Sequence, residues 1–225
     1  MSQYTEEVES AIAILGKSKV VTANKVTQKW GGRIPKSLSI PFSEDVLRQC
    51  AHENTNGQAD WRLIYTLGLS MRDLWRRRGI DLNKQPCFGA ITWWLPKSDC
   101  SYGTEPELPW VTKEKEADYK LLNFKLQFTN MNWDEQTKAI ADLGEKYDRA
   151  LERDVAETFF TCFMAKGEDL FGLKAHWGPS LSPHGYRVYL GGQGFVRSHP
   201  GCLTINGCSD DSHSGDIGVI IIRKP

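Results

Sequence analysis

The apolar positions of this chain fall into several short periods instead of one long one. Val8, Ile12 and Leu15 recur at helical spacing over Glu6–Leu15, and Gly16 supplies a stop. A second helix is predicted from Thr22 to Trp30: Thr22 can cap it, Val26 and Trp30 share a face, and Gly31-Gly32 breaks it. The pair resembles a helix-turn-helix fragment, but a reading helix needs a third helix, which this segment lacks, and more basic side chains than its Lys25 and Lys29. An arm packed on the main domain or on a neighbouring subunit is the preferred reading. Residues 1–40 are therefore assigned to an N-terminal helical arm and 41–225 to the main domain.

Farther along, a helix is expected over Ser43–Glu53 and a strand over Trp61–Tyr65. Ser70 and Asp73 form a capping signature ahead of a helix that carries Leu74. Beyond Pro86 the aromatic residues Phe88, Trp93, Trp94, Tyr102 and Trp110 are interleaved with Gly and Pro, which favours loops and short strands. The clearest helical period begins near Trp133-Asp134, where Ile140, Leu143, Tyr147, Leu151, Val155 and Phe159 repeat every three or four residues with charges between them. It is read as a core-facing stripe, bent or split at Gly144. After Gly167 no helical period survives, and short strands joined by loops are expected to Pro225. The fold class is α+β.

Charge narrows the partners. Acidic and basic residues number 28 each, so no global field draws in nucleic acid or an anionic membrane. No stretch reaches the roughly 18 to 20 apolar residues that span a bilayer. The N-terminus is acidic and polar where a signal peptide would be basic. Folding in the cytoplasm of its maker is expected, and carriage on a virion or surface display through a partner stays open, as does homo-oligomer formation. Six Cys without CxxC spacing read as free thiols, although Cys202 and Cys208 are close enough in sequence to pair in an exported protein.

Candidate chemistry is mostly excluded. Phosphate-loop, nucleophile-elbow, HExxH and dinucleotide-binding motifs are missing. His176, His184, His199 and His213 with Cys202 and Cys208 match no closed zinc site, and they read as loop residues or partners of buried polar groups. Asn206, Asp210, Asp211 and Asp216 lack regular calcium-ligand spacing. No metal or cofactor is expected. Arg72, Arg76, Arg77 and Arg78 make a basic helix face, read as a solvated surface ahead of a nucleic-acid-binding one.

One window stands apart. From Gly194 to Arg223 there is no Glu, Lys, Gln, Met or Trp, although these types make up roughly a quarter of the chain before it, so about seven would be expected. No codon ending in cytosine encodes any of the five, which suggests adenine-directed randomisation of AAC codons. Tight loops of small residues disfavour Trp and Glu as well, but that leaves the missing Lys and Gln unexplained.

With Tyr186-Arg187-Val188-Tyr189-Leu190-Gly191-Gly192 before this window and Asp216-Ile217-Gly218-Val219 near its end, the last fifty or so residues resemble the variable proteins of diversity-generating retroelements. The likeness is to the formylglycine-generating-enzyme-like subclass. Gln193-Gly194-Phe195 stands where Ser-Trp is frequent in that family, and Val219-Ile220 replaces Phe-Arg. The resemblance implies a C-type-lectin-like domain of short strands and two or more helices. It implies a variable binding region at about 194–223 and reversible binding of a protein or carbohydrate ligand, without catalysis. On the strand alternation, Leu203 and Ile205 should point inward while Thr204 and Asn206 point out, and Ile217, Val219 and Ile221 should anchor the last strand. The candidate contact set is Ser198, His199, Gly201, Thr204, Asn206, Ser209, Asp210, Asp211, His213 and Ser214. The competing readings are a hydrolase or transferase using His176, Cys202 or His213, and a nucleic-acid-binding protein using the Arg72–Arg78 face.

Overall fold

Ile217, Val219, Ile220 and Ile221 point alternately to the two faces of one strand, and all four are buried, so that strand must be covered on both sides. Fully burying such a side chain contributes about 1.5–3 kcal/mol. The strand is the last in the chain and lies in the middle of the sheet. A computed structural model of the chain describes residues 3–35, 37–90, 108–172, 174–182, 184–191 and 201–225. Among these residues the strands are β1 (Val20–Val21), β2 (Trp61–Thr66), β3 (Cys87–Ala90), β4 (Asp118–Gln127), β5 (Tyr147–Arg149), β6 (Ala175–Leu181), β7 (Arg187–Gly191), β8 (Cys202–Cys208) and β9 (Ile217–Arg223). The helices are α1 (Gln3–Leu15), α2 (Ala23–Trp30), α3 (Glu44–Thr55), α4 (Met71–Arg78), α5 (Pro109–Thr112), α6 (Trp133–Asp142) and α7 (Glu152–Lys166). The chain is thus α+β, with one mixed sheet in the order β1-β2-β4-β9-β6-β7-β8-β3 and β5 added beside β9.

One edge of β9 pairs antiparallel with β4. The other edge is shared: β6 runs parallel to it at Ile217 and Gly218, and β5 runs antiparallel to it from Ile221 to Arg223. Between these two partners the backbone of Ile220 would be left without a strand, and a buried, unpaired amide is costly. His176 fills the gap. Its Nδ1 accepts the Ile220 N–H at 3.0 Å, and its Nε2 lies 2.9 Å from the Ala150 carbonyl. The Ala150 N–H in turn donates to the Ile220 carbonyl at 3.0 Å. Because Nδ1 must be bare to accept, the proton sits on Nε2, and the ring is neutral. Complete burial, with the Arg149 charge adding to it, pushes this imidazole down to about 3.

The helical period read from Ile140 to Phe159 is broken in the structure. Gly144, at φ +101°, ends α6, and the chain then turns extended so that Tyr147–Arg149 can pair with β9. Tyr147 therefore lies on a strand, and Leu143 is 45% exposed instead of core-facing. The second half, α7, is buried around its whole circumference from Glu152 to Cys162, so its charges do not face water as its pattern suggests. Three of them meet polar groups of neighbouring segments. Glu152 accepts from the backbone and hydroxyl of Ser180, Arg153 donates to the Lys113 carbonyl, and Glu157 accepts from the amides of Leu67 and Leu69. Burial pushes the Glu157 carboxyl up to about 7, with those amides opposing the rise.

The expected caps at Thr22 and Ser70 are in place, and Ser43, expected as the first residue of its helix, serves as a cap too, each side chain accepting from the backbone three residues on. The N-terminal helices share the main core. Ala11, Leu15, Val26 and Trp30 belong to the same buried cluster as Leu63, Leu121, Phe159 and Val219. The Trp30 indole N–H donates to Thr161 on α7 at 2.8 Å, and β1 pairs with β2.

The His176 geometry gives a pH-dependent expectation. Its folded pKa lies below the unfolded one, so its contribution is present above about pH 6.5 and is lost as pH falls toward the folded value. His176→Asn should be less stable than the parent near neutral pH. By about pH 5 the deficit should shrink by roughly 2 kcal/mol, because only the parent carries the protonation cost. Urea unfolding of both proteins at the two pH values measures this, and a deficit independent of pH would contradict the assigned role.

Candidate functional site

Between the buried strands β8 and β9 the chain makes an exposed turn of small polar residues, 209–216, with Ser212 N–H donating to the Ser209 carbonyl at 3.0 Å. The turn rests on the start of α6. A helix N-terminus offers amides with no partner inside the helix, and two amides here are met by carbonyls of the turn. Trp133 N–H donates to Asp210 O at 3.1 Å, and Asn130 N–H, just before the helix, donates to Ser214 O at 2.9 Å. At the far end, Ala175 N–H donates to Asp216 O at 2.8 Å. All three anchors use the main chain of the turn. Asn132 and Glu135 close the helix start with a reciprocal capping box, which fixes the platform itself.

On this backbone Ser209, Asp211 and His213 are exposed, and Asn206 at the end of β8 is exposed beside Tyr189 of β7. Ser214 is half-buried, and its hydroxyl accepts from Asp216 N–H. His213 reaches Glu135 at 3.3 Å across the surface, a solvated pair worth little energetically. Asp210 differs from its neighbours. Its carboxylate accepts from Arg187 at 3.3 Å, and the Arg187 guanidinium lies 3.7 Å from the centre of the Trp133 ring while also donating to the Pro179 carbonyl. Arg149 approaches the same indole at 4.8 Å, and burial together with the Arg187 charge lowers its pKa to about 10. Beside this cluster lies a pocket of about 400 Å³ lined by Trp133, Ile140, Tyr147, Arg149, Pro179 and Lys224, among others.

Two members of the expected contact set are interior. Thr204 is 6% exposed although alternation sets it on the face opposite buried Leu203 and Ile205, so β8 is covered on both faces there. Gly201 is buried at φ +80°, and a Cβ there would lie 2.5 Å from the Phe163 ring. Its amide and carbonyl are also used, by Asp169 and by Cys87. Neither position can present varied side chains to a ligand. Leu203 and Ile205 are buried as expected, and so are Ile217, Val219 and Ile221. Ser198 and His199 lie outside the described residues, as do Trp93, Trp94 and Tyr102. The cluster around the turn also includes Trp133, Glu135, Arg187 and Tyr189. No motif in the sequence ties these residues to the turn, because the link is made by register and by the helix start.

The competing chemistries find little geometry. Both ring nitrogens of His176 hold backbone groups, Cys202 is buried, and His213 sits on an open surface. Cys202 and Cys208 stand at opposite ends of one strand, about 20 Å apart at the usual rise, too far to pair. Among the described residues no group of three or more His, Cys, Asp or Glu could hold a metal ion, and no helix is long and apolar enough to cross a membrane. Of the arginines on α4, Arg77 donates to the Trp30 carbonyl and Arg78 to the Pro86 carbonyl, so part of that basic face holds neighbouring segments. Compared with known proteins, the chain matches no protein-family model, no curated protein and no solved structure.

Side-chain dependence should divide sharply across this region. Ser209→Ala, Asp211→Ala and His213→Ala combined should change stability by less than about 1 kcal/mol. Gly201→Ala should cost about 2–4 kcal/mol through its backbone conformation and the Phe163 clash. Denaturant unfolding of the two variants compares them directly.

Proposed function

We propose that the chain is a ligand-binding protein acting through the exposed face formed by Asn206, Ser209, Asp211, His213 and Ser214, and that this face is diversified by retroelement-templated adenine mutagenesis. The observation that carries the reading is the way the turn is held. Carbonyls of Asp210, Ser214 and Asp216 meet amides of Trp133, Asn130 and Ala175, so the backbone keeps its shape whatever side chains occupy Ser209, Asp211 and His213. A surface open to extensive variation needs that separation between what holds the loop and what the loop presents.

The lectin-like reading draws support from the second half of the chain. β4 and β9 are antiparallel neighbours, two helices follow β4, and β6, β7 and β8 form an antiparallel meander before β9 closes the unit. Short strands with loops between them suit a scaffold that binds by surface contact and does no chemistry. The ligand class that fits the exposed hydroxyl, amide, carboxylate and imidazole groups is a protein surface or a carbohydrate, both recognised by hydrogen bonds from small polar side chains.

The test is the DNA next to the gene. A near copy of its 3′ end, differing at adenines and lying beside a reverse-transcriptase gene, is expected. The differing codons should include those for Ser209, Asp211 and His213 and should spare Gly201, Leu203, Ile205 and Val219. A copy whose differences fall on the buried codons as often as on the exposed ones would overturn the proposal, as would the lack of any such copy.

A further inference from the structure

Cys87 and Cys202 occupy directly paired positions on the parallel strands β3 and β8. Both are buried, and their sulfurs lie 3.4 Å apart. A buried cysteine is an ordinary small apolar residue, which accounts for each of them singly but not for two facing each other. A disulfide needs Cα atoms about 4.4–6.8 Å apart. Neighbouring strands place paired residues at about 4.7–4.9 Å, inside that window without moving the backbone. The pair is also set apart from the other cysteines among the described residues, since Cys50 and Cys162 are buried elsewhere and Cys208 lies at the far end of β8.

We propose that Cys87 and Cys202 form a dithiol that a small-molecule disulfide, such as glutathione disulfide, converts to a bridge tying β3 to β8. One protein thiolate attacks a sulfur of the small disulfide, forming a mixed disulfide and releasing one small thiol. The second protein thiolate then attacks the mixed disulfide, forming the bond between the two Sγ atoms and releasing the second small thiol. The protons of the two cysteines end on the released thiols, so the two-electron oxidation of the pair is balanced by reduction of the small disulfide.

The fold also says how the reagent reaches the pair. Among the described residues β3 is a short strand at one end of the sheet order, and its register with β8 shifts between Phe88 and Ala90, but Phe88 is buried against Phe160 and Trp75, so reaching the pair requires that contact to open. While it is seated, burial raises the Cys87 thiol, and burial together with Cys87 pushes Cys202 up to about 12, so both are protonated and exchange is slow. The bridge then forms during folding or when β3 opens. It joins residues 115 apart in sequence, and its existence does not depend on what the 206–216 face binds.

The experiment is to refold the full chain in a glutathione redox buffer, block free thiols, and digest with trypsin without reduction. Fragments 85–97 and 198–223 are expected to appear joined, with fragmentation assigning the link to Cys202. The joined species should persist in Cys208→Ser, vanish in Cys87→Ser, and be accompanied by a thermal midpoint about 5 °C above that of the reduced protein. Should Cys87→Ser fail to fold, the joined fragments of the parent still decide the matter. Refolded parent in which both thiols are blocked, in which either carries glutathione without a bridge, or in which Cys202 is linked to Cys100 or Cys208, would overturn the proposal.

Discussion

The sheet depends on how the interior edge of β9 is completed. Two partners share that edge, and they meet it in opposite directions, β6 parallel and β5 antiparallel. Strands of opposite direction cannot merge into one ladder, so a gap opens at Ile220, where neither strand supplies a backbone partner for its N–H and a β6 side chain does so instead. A neutral imidazole has one acceptor and one donor on opposite sides of a rigid ring, and His176 uses both to bridge Ile220 and Ala150. The centre of the fold is thus joined by one side chain that must stay uncharged, which ties the integrity of the sheet to pH.

The same logic of buried polar groups used as fasteners runs along α7. A helix enclosed on all sides normally lacks charges, because an unpaired charge in the interior is expensive. Here Glu152, Arg153 and Glu157 are kept because each meets backbone groups of a neighbouring segment, Ser180 of β6, Lys113, and Leu67 with Leu69 respectively. Gly178 shows how closely the parts fit, since a Cβ there would lie 2.2 Å from the Glu152 carboxylate. Core packing and loop conformation are therefore coupled through this helix, while the 209–216 turn is anchored chiefly by main-chain hydrogen bonds, with the Asp210–Arg187 and His213–Glu135 side-chain pairs added to them.

That difference bears on the unusual composition of the last thirty residues. Much of the window is interior: Gly201–Ile205 and Ile217–Ile221 are buried, and burial alone keeps Lys, Glu and Gln out of them. Among the described residues, the compositional signal that remains belongs to the exposed positions between the two strands, where small polar residues stand on a fixed backbone. Asp210, although part of that turn, is tied to Arg187 and through it to Trp133, which makes it part of the platform more than of the presented face.

Local chemistry was legible in the sequence because local rules act within a few residues. Thr22, Ser43 and Ser70 announced three helix starts, Gly144 announced the break in the long period, and the alternation of Leu203 and Ile205 announced a strand. The α+β class and the polar turn before the closing strand followed from the same signals. Tertiary structure alone decided the rest. Charged residues on α7 read as a solvated face because periodicity records polarity but not the partner that satisfies it. Thr204 read as surface because alternation cannot tell a strand covered on one side from one covered on both, and Gly201 because nothing local reveals that Phe163 packs against it. His176 and Trp133 carried no motif, and Arg187 lay inside the Tyr186–Gly192 motif without its contacts being legible there, since these roles depend on β9 running between two oppositely directed partners and on which loop lies over the start of α6. Those contacts join residues far apart in sequence, and they exist only once the sheet has chosen its order.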